Sequence, residues 1–126
     1  MVKDVVKTDK APLPMGPYSQ AIKVGDFLFV SGQVSVDPVT AKPVLGDTKT
    51  QTKRILENLK AILNEAELTL ENVVRVTVYL RNMKDFGEMN DVYKSYFRTD
   101  PPTRSTVEVG LAGDFSVEID AIAYLK

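Results

Sequence analysis

The stretch VVRVTVYL, residues 73–80, decides how the chain is organised. Its β-branched content and two-residue alternation read as a strand. Val74, Val76, Val78 and Leu80 fall on one face, and Arg75, Thr77 and Tyr79 on the other. Just before it, DTKTQTKRILENLKAILNEAEL (47–68) places Ile55, Leu59, Ile62, Leu63 and Ala66 at helical spacing. Lys53, Arg54, Glu57, Lys60, Asn64 and Glu65 fill the opposite face, and Asp47 or Thr48 supplies the cap. Just after it, Phe86, Met89, Asn90, Tyr93 and Phe97 form the stripe of a second helix over roughly 84–97, stopped by Pro101-Pro102. Asn90 is the one polar member of that stripe. Two one-sided helices around a strand need a sheet to pack on.

The strands lie farther out on both sides. Ala21–Val24 and Phe27–Ser31 flank Gly25-Asp26, a hairpin signal. The apolar run Phe27–Val30 points to a central position. Val2–Lys7 reads as a short edge strand guarded by Lys3 and Lys7. KAPLPMGPY (10–18) is irregular, and Gly32–Asp47 is a loop broken by Asp37-Pro38 and Lys42-Pro43. Toward the C-terminus, Thr103–Val109 and Val117–Leu125 are strands. The order β-β-β-α-β-α-β-β predicts one α+β domain over residues 1–126, in two layers, with both helices on one face of a mixed sheet.

Composition narrows the chemistry. Of 126 residues, 44% are hydrophobic and 26% charged, as in ordinary globular domains. There is no cysteine and no histidine, which removes disulfides, thiol nucleophiles, Cys/His metal sites and imidazole acid-base catalysis together. No Walker loop or GxGxxG occurs to bind a nucleotide and no GxSxG elbow to carry a nucleophile; a carboxylate-only metal site stays open, without EF-hand spacing. The net charge of −1, and aromatics not interleaved with a basic cluster, argue against nucleic-acid binding. The charged N-terminus is not a signal peptide, and the apolar runs are too short to span a membrane. The expectation is a soluble cytoplasmic protein.

With both helices on one face, the other face meets water or another protein. PPTRSTVEVG (101–110) alternates Arg104, Thr106 and Glu108 with Ser105, Val107 and Val109, the side that looks buried. The polar side is expected to continue through Ser116, Glu118 and Asp120 and to turn apolar at Ile122 and Tyr124. Such a face is either solvated or an oligomer interface enclosing a polar pocket. Arg104 is the strongest anion-binding candidate, unless it pairs with Glu108, Glu118 or Asp120. Glu118 and Asp120 are candidates for general base or water orientation, or form part of a solvated face. Tyr18, Asn90 and Gly32 after Ser31 read as ligand contacts, or as loop packing, a structural amide and a turn.

Four words in order, GPYSQA (16–21), FVSGQV (29–34), TRSTVEV (103–109) and VEIDAIA (117–123), resemble the RidA/YjgF family of reactive-intermediate deaminases over nearly the whole chain. The resemblance implies a chorismate-mutase-like homotrimer with sheets inside, helices outside and three sites in the clefts between subunits. It implies the cofactor-free activity of a 2-iminobutanoate/2-iminopropanoate deaminase, which converts 2-enamine and 2-imino acids to 2-keto acids and ammonia. By the same resemblance Arg104 binds the substrate carboxylate, and Tyr18, Ser31, Gly32 and Asn90 line the site. Asp120 stands where the family has a glutamate that holds the attacking water, and Thr106 where many members have cysteine. The alternative is a non-catalytic trimer that binds small carboxylates or regulates. Translation-inhibitor or ribonuclease activity is weaker, since neither histidine nor a basic stripe is present.

Overall fold

A computed structural model describes residues 2–126. The strands are β1 (Asp4–Val6), β2 (Ala21–Val24), β3 (Phe27–Gln33), β4 (Val73–Leu80), β5 (Thr103–Glu108) and β6 (Val117–Tyr124), and the helices are α1 (Thr48–Glu65) and α2 (Phe86–Tyr96). They form one six-stranded sheet in the order β1-β2-β3-β6-β4-β5. Every neighbouring pair is antiparallel except β4 and β5. That one parallel pair follows from α2, which carries the chain back over the sheet before β5 begins. The result is the expected mixed sheet with two helices on one face.

Asp47 caps α1, accepting from the Thr50 backbone N–H at 2.8 Å. Ile55, Leu56, Leu59, Ile62 and Leu63 are buried against the sheet. Asn58 is fully buried among them. Its amide donates to the Val36 carbonyl at 2.9 Å, and its Oδ1 accepts from Arg54 Nε at 3.2 Å. Asn58→Ala strands that carbonyl and should cost about 1–3 kcal/mol. A lower urea midpoint with an unchanged slope is the expected readout.

In β4 the alternation holds from Val76 onward, but the pairing shifts between Val73 and Arg75. This bulge buries Val73 and turns Val74 outward, correcting the expected inward position of Val74. β3 is interior to the sheet as expected, yet Phe27 and Phe29 are exposed on its helix-free face. The Phe27 ring meets Tyr124 there at 5.5 Å. Helix α2 ends at Tyr96, well before the prolines.

One expectation about faces is overturned. Residues directly paired across strands share a face. Val76, which is buried under the helices, pairs with Arg104 on one side and Ala121 on the other. Arg104, Thr106 and Glu108 therefore belong to the helix side, and Ser105 and Val107 to the open side. On β6 the parity is opposite: Val117, Ile119, Ala121 and Ala123 are buried, while Glu118, Asp120, Ile122 and Tyr124 look outward. The polar alternations of β5 and β6 thus lie on opposite faces. Val107 and Val109, which looked buried, are exposed.

Candidate functional site

The candidate residues fall into two clusters. The first lies where the sheet edge β5 meets α2. Arg104 Nη1 donates to Asn90 Oδ1 at 2.8 Å. Its guanidinium carbon sits 4.7 Å from the Tyr93 ring centre and 5.4 Å from that of Phe86. The negative faces of the rings and a neutral amide hold the cation. Among the described residues no carboxylate pairs with Arg104. The ion pairs weighed from the sequence are not formed: Glu108 accepts from the Met83 backbone N–H at 2.7 Å, and Asp120 accepts from the Tyr79 hydroxyl at 2.8 Å. Asn90 is neither a surface residue nor a core amide; it orients the arginine.

Thr106 stands two residues along on the same face. Its hydroxyl and that of Tyr93 are buried and make no hydrogen bond among the described residues. Burial pushes the Tyr93 phenol up, against the opposing pull of Arg104. A partly buried cation beside two unpaired hydroxyls is a setting suited to a small polar anion.

The second cluster forms at the end of β3 on the open face. Pairing with β6 slips between Val30 and Gln33, leaving Ser31 and Gly32 in a bulge. Ser31 Oγ donates to the Ser19 carbonyl at 2.6 Å, and the Ser31 N–H donates to the Gln20 carbonyl at 2.9 Å. These bonds tie the bulge to the segment carrying Tyr18. That segment is fastened by Gln20, whose amide donates to the carbonyls of Thr8, Ala11 and Pro12 and accepts from the Thr8 N–H. Tyr18 is half exposed, and its hydroxyl accepts from the Met15 N–H at 3.4 Å.

Gly32 is not a turn after a strand. It lies within β3, and a Cβ there would collide with the Glu118 carboxylate. Tyr18, Ser31, Gly32, Val34, Phe115 and Glu118 line an open cleft of about 420 Å³. Burial pushes the Glu118 carboxyl up, and the charge of Asp120 pushes it further. Tyr79 is pushed up mainly because its proton is held by Asp120.

The structure thus gathers Tyr18, Ser31 and Gly32 around Glu118, and Arg104, Asn90 and Thr106 around α2. Asp120 shares the open face with Glu118 but is engaged by Tyr79. The carboxylate over the glycine is Glu118, two residues before Asp120, which the resemblance makes the water holder. Gly32 itself was the available signal, since a residue without a side chain inside a strand marks a close neighbour. The two clusters do not meet within one chain. They are separated by β4 and lie on opposite faces of the sheet.

Comparison with known proteins places this architecture. Residues 8–125 match the family model described as Endoribonuclease L-PSP. A RutC family protein of Pyrococcus abyssi is 56% identical, over 98% of both chains. The mouse 2-iminobutanoate/2-iminopropanoate deaminase is 42% identical, over 98% of this chain and 92% of its own. The crystal structure of RidA from an Antarctic Psychrobacter superposes with a TM-score of 0.92 at 38% identity, covering 96% of this chain and 98% of its own.

Proposed function

Because this chain belongs to the RidA/YjgF family, the one described as Endoribonuclease L-PSP, we propose that it hydrolyses 2-enamine and 2-imino acids to 2-keto acids and ammonia. Substrates of this class include 2-aminoacrylate and 2-iminobutanoate. The observation that carries the reading is the division of the site. One edge of the chain offers a guanidinium with no carboxylate partner among the described residues, and the opposite face offers a glycine-walled cleft with a carboxylate. A rotational assembly that lays the β5 edge of one copy against the open face of the next joins the halves. Phe27, Phe29 and Tyr124, exposed on that open face, supply apolar area for such a homotrimer.

The chemistry follows from these parts. A 2-imino acid carries an electrophilic C2, so no covalent nucleophile is required. Arg104 grips the substrate carboxylate with its two-pronged fork, steadied by Asn90 and the Phe86 and Tyr93 rings. Glu118 of the partner subunit takes a proton from water as its oxygen bonds to C2. The product is a tetrahedral carbon bearing hydroxyl and amino groups. Returning the proton to nitrogen lets the C–N bond break; ammonia leaves, the hydroxyl proton is lost and the keto acid forms. Asp120, fixed by Tyr79, keeps a negative charge near Glu118 and so helps keep it basic. No step calls for a metal or cofactor.

The test is the lifetime of 2-iminobutanoate generated in place by threonine dehydratase. Micromolar protein should speed its conversion to 2-oxobutanoate well above the buffer rate. Decay at the buffer rate, with 2-oxobutanoate still bound, makes the protein a sensor instead. RNA cleavage, which the family description names, has no histidine here to drive it.

A further inference from the structure

We propose that an apolar chamber beside Tyr18 is the substrate side-chain subsite, so that this chain favours branched or bulky 2-imino acids over 2-aminoacrylate. The proposal rests on the deaminase reading and names its substrate class. The irregular segment before Tyr18 and the loop after β3 enclose about 390 Å³. Pro12, Leu13, Met15, Val34, Val36 and Val39 supply most of its wall. The chamber shares Tyr18, Gly32 and Val34 with the cleft over Glu118, so the two spaces adjoin.

Its lining is unsuited to a polar guest. No charged residue contributes to it. The Gln20 amide, which reaches it, is already committed to four backbone partners. The Gln33 amide donates to the Ser31 carbonyl at 3.3 Å. Most of what remains is hydrocarbon, which favours an apolar guest.

The chamber is also preformed. On the loop side, Asp37 accepts from the N–H groups of Val39 and Thr40 at 2.7 and 3.1 Å, and Ser35 Oγ donates to the Val44 carbonyl at 2.7 Å. Asn58 holds Val36 from below. Leu13, Met15 and Val39 nevertheless remain exposed at the rim, with Val39 90% accessible. A substrate with its carboxylate on the partner subunit's Arg104 and its C2 at Glu118 has its third substituent left to place, and the chamber opens beside that position.

The experiment measures binding and turnover separately. Calorimetry on the assembled protein compares 4-methyl-2-oxopentanoate with pyruvate, which differ only in the side chain. The branched acid should bind about tenfold tighter or better, in line with the discrimination a hydrophobic pocket gives per methylene. Leu13→Asp sets a carboxylate at the chamber and should shrink that ratio to about threefold or less. Val34→Thr, close in shape, should shrink it in the same direction and guards against misfolding of the first variant. Turnover is then followed on imines made from leucine and alanine by an amino-acid oxidase. Equal affinities for the two acids in the parent overturn the subsite and leave the deaminase reading standing. A preference for the branched acid without imine turnover overturns the deaminase reading and leaves the subsite. A ratio unchanged in both variants overturns the chamber as its source, and an interface that fills the chamber would appear as equal affinities.

Discussion

Arg104→Ala should give a folded, assembled protein that no longer hydrolyses 2-imino acids, with kcat/KM at least ~10³-fold below the parent. The structure explains why the loss should be catalytic. Arg104 lies at a sheet edge, makes one hydrogen bond to a neutral amide and has no ion pair among the described residues. Its removal leaves no carboxylate buried without a partner. The lost contacts with Tyr93 and Phe86 are each worth about 0.5–1 kcal/mol at a partly exposed site. Melting and gel filtration should therefore stay close to the parent, while the imine decays at the buffer rate. Arg104→Lys is the informative companion, because it keeps the charge and loses the fork; it should recover only part of the activity. An alanine variant that turns over imine like the parent would falsify the grip assigned to this side chain.

Glu118→Gln carries the second large effect and should move activity and stability in opposite directions. Removing the proton acceptor should lower kcat by about 10²–10⁴-fold. The stability sign follows from the raised pKa. The folded state holds the Glu118 proton more tightly than the unfolded chain, whose ordinary value is 4.5. The parent therefore gains stability as pH falls from neutral through the folded pKa, and its ionised carboxylate is a cost at pH 7. Glutamine removes that cost, so Tm at pH 7 should rise above the parent's. The gain should vanish below about pH 4.5, where the parent is protonated in both states. Turnover by the parent should fall on the acid side as the base is protonated. Asp120→Asn is the control: by removing the neighbouring charge it should shift that acid limb to lower pH with a smaller loss of kcat. A larger loss in Asp120→Asn than in Glu118→Gln would return the water to Asp120.

The elements were legible in the sequence because their periods are. Ile55, Leu59, Ile62 and Leu63 mark α1, and the β-branched run marks β4. The relation between β5 and β6 was not legible. Both alternate cleanly, and nothing in either strand records that one runs parallel to β4 and the other antiparallel, with opposite parity. This is why Arg104 and Asp120 read as neighbours on one face. The different settings of Glu118 and Asp120 were hidden for a related reason: they share a face two residues apart, and only the bulge at Ser31 and Gly32 sets Glu118 over the cleft. Asn58 and Gln20 left no pattern either. Their partners are carbonyls of irregular segments, which hydrophobic periodicity does not encode.

The fastening by Gln20 has a consequence for how the molecule breathes. One buried side chain gathers the backbone of Thr8, Ala11 and Pro12, and braces the approach to Tyr18 alongside the pairing of β1 with β2 and the core packing of Val6 and Ala11. The polar part of that bracing converges on one amide, so local opening of residues 8–12 should respond to Gln20 more than opening of the helices does. The rigidity of the tyrosine wall is thus adjustable at a position that contributes no side chain to the cleft over Glu118.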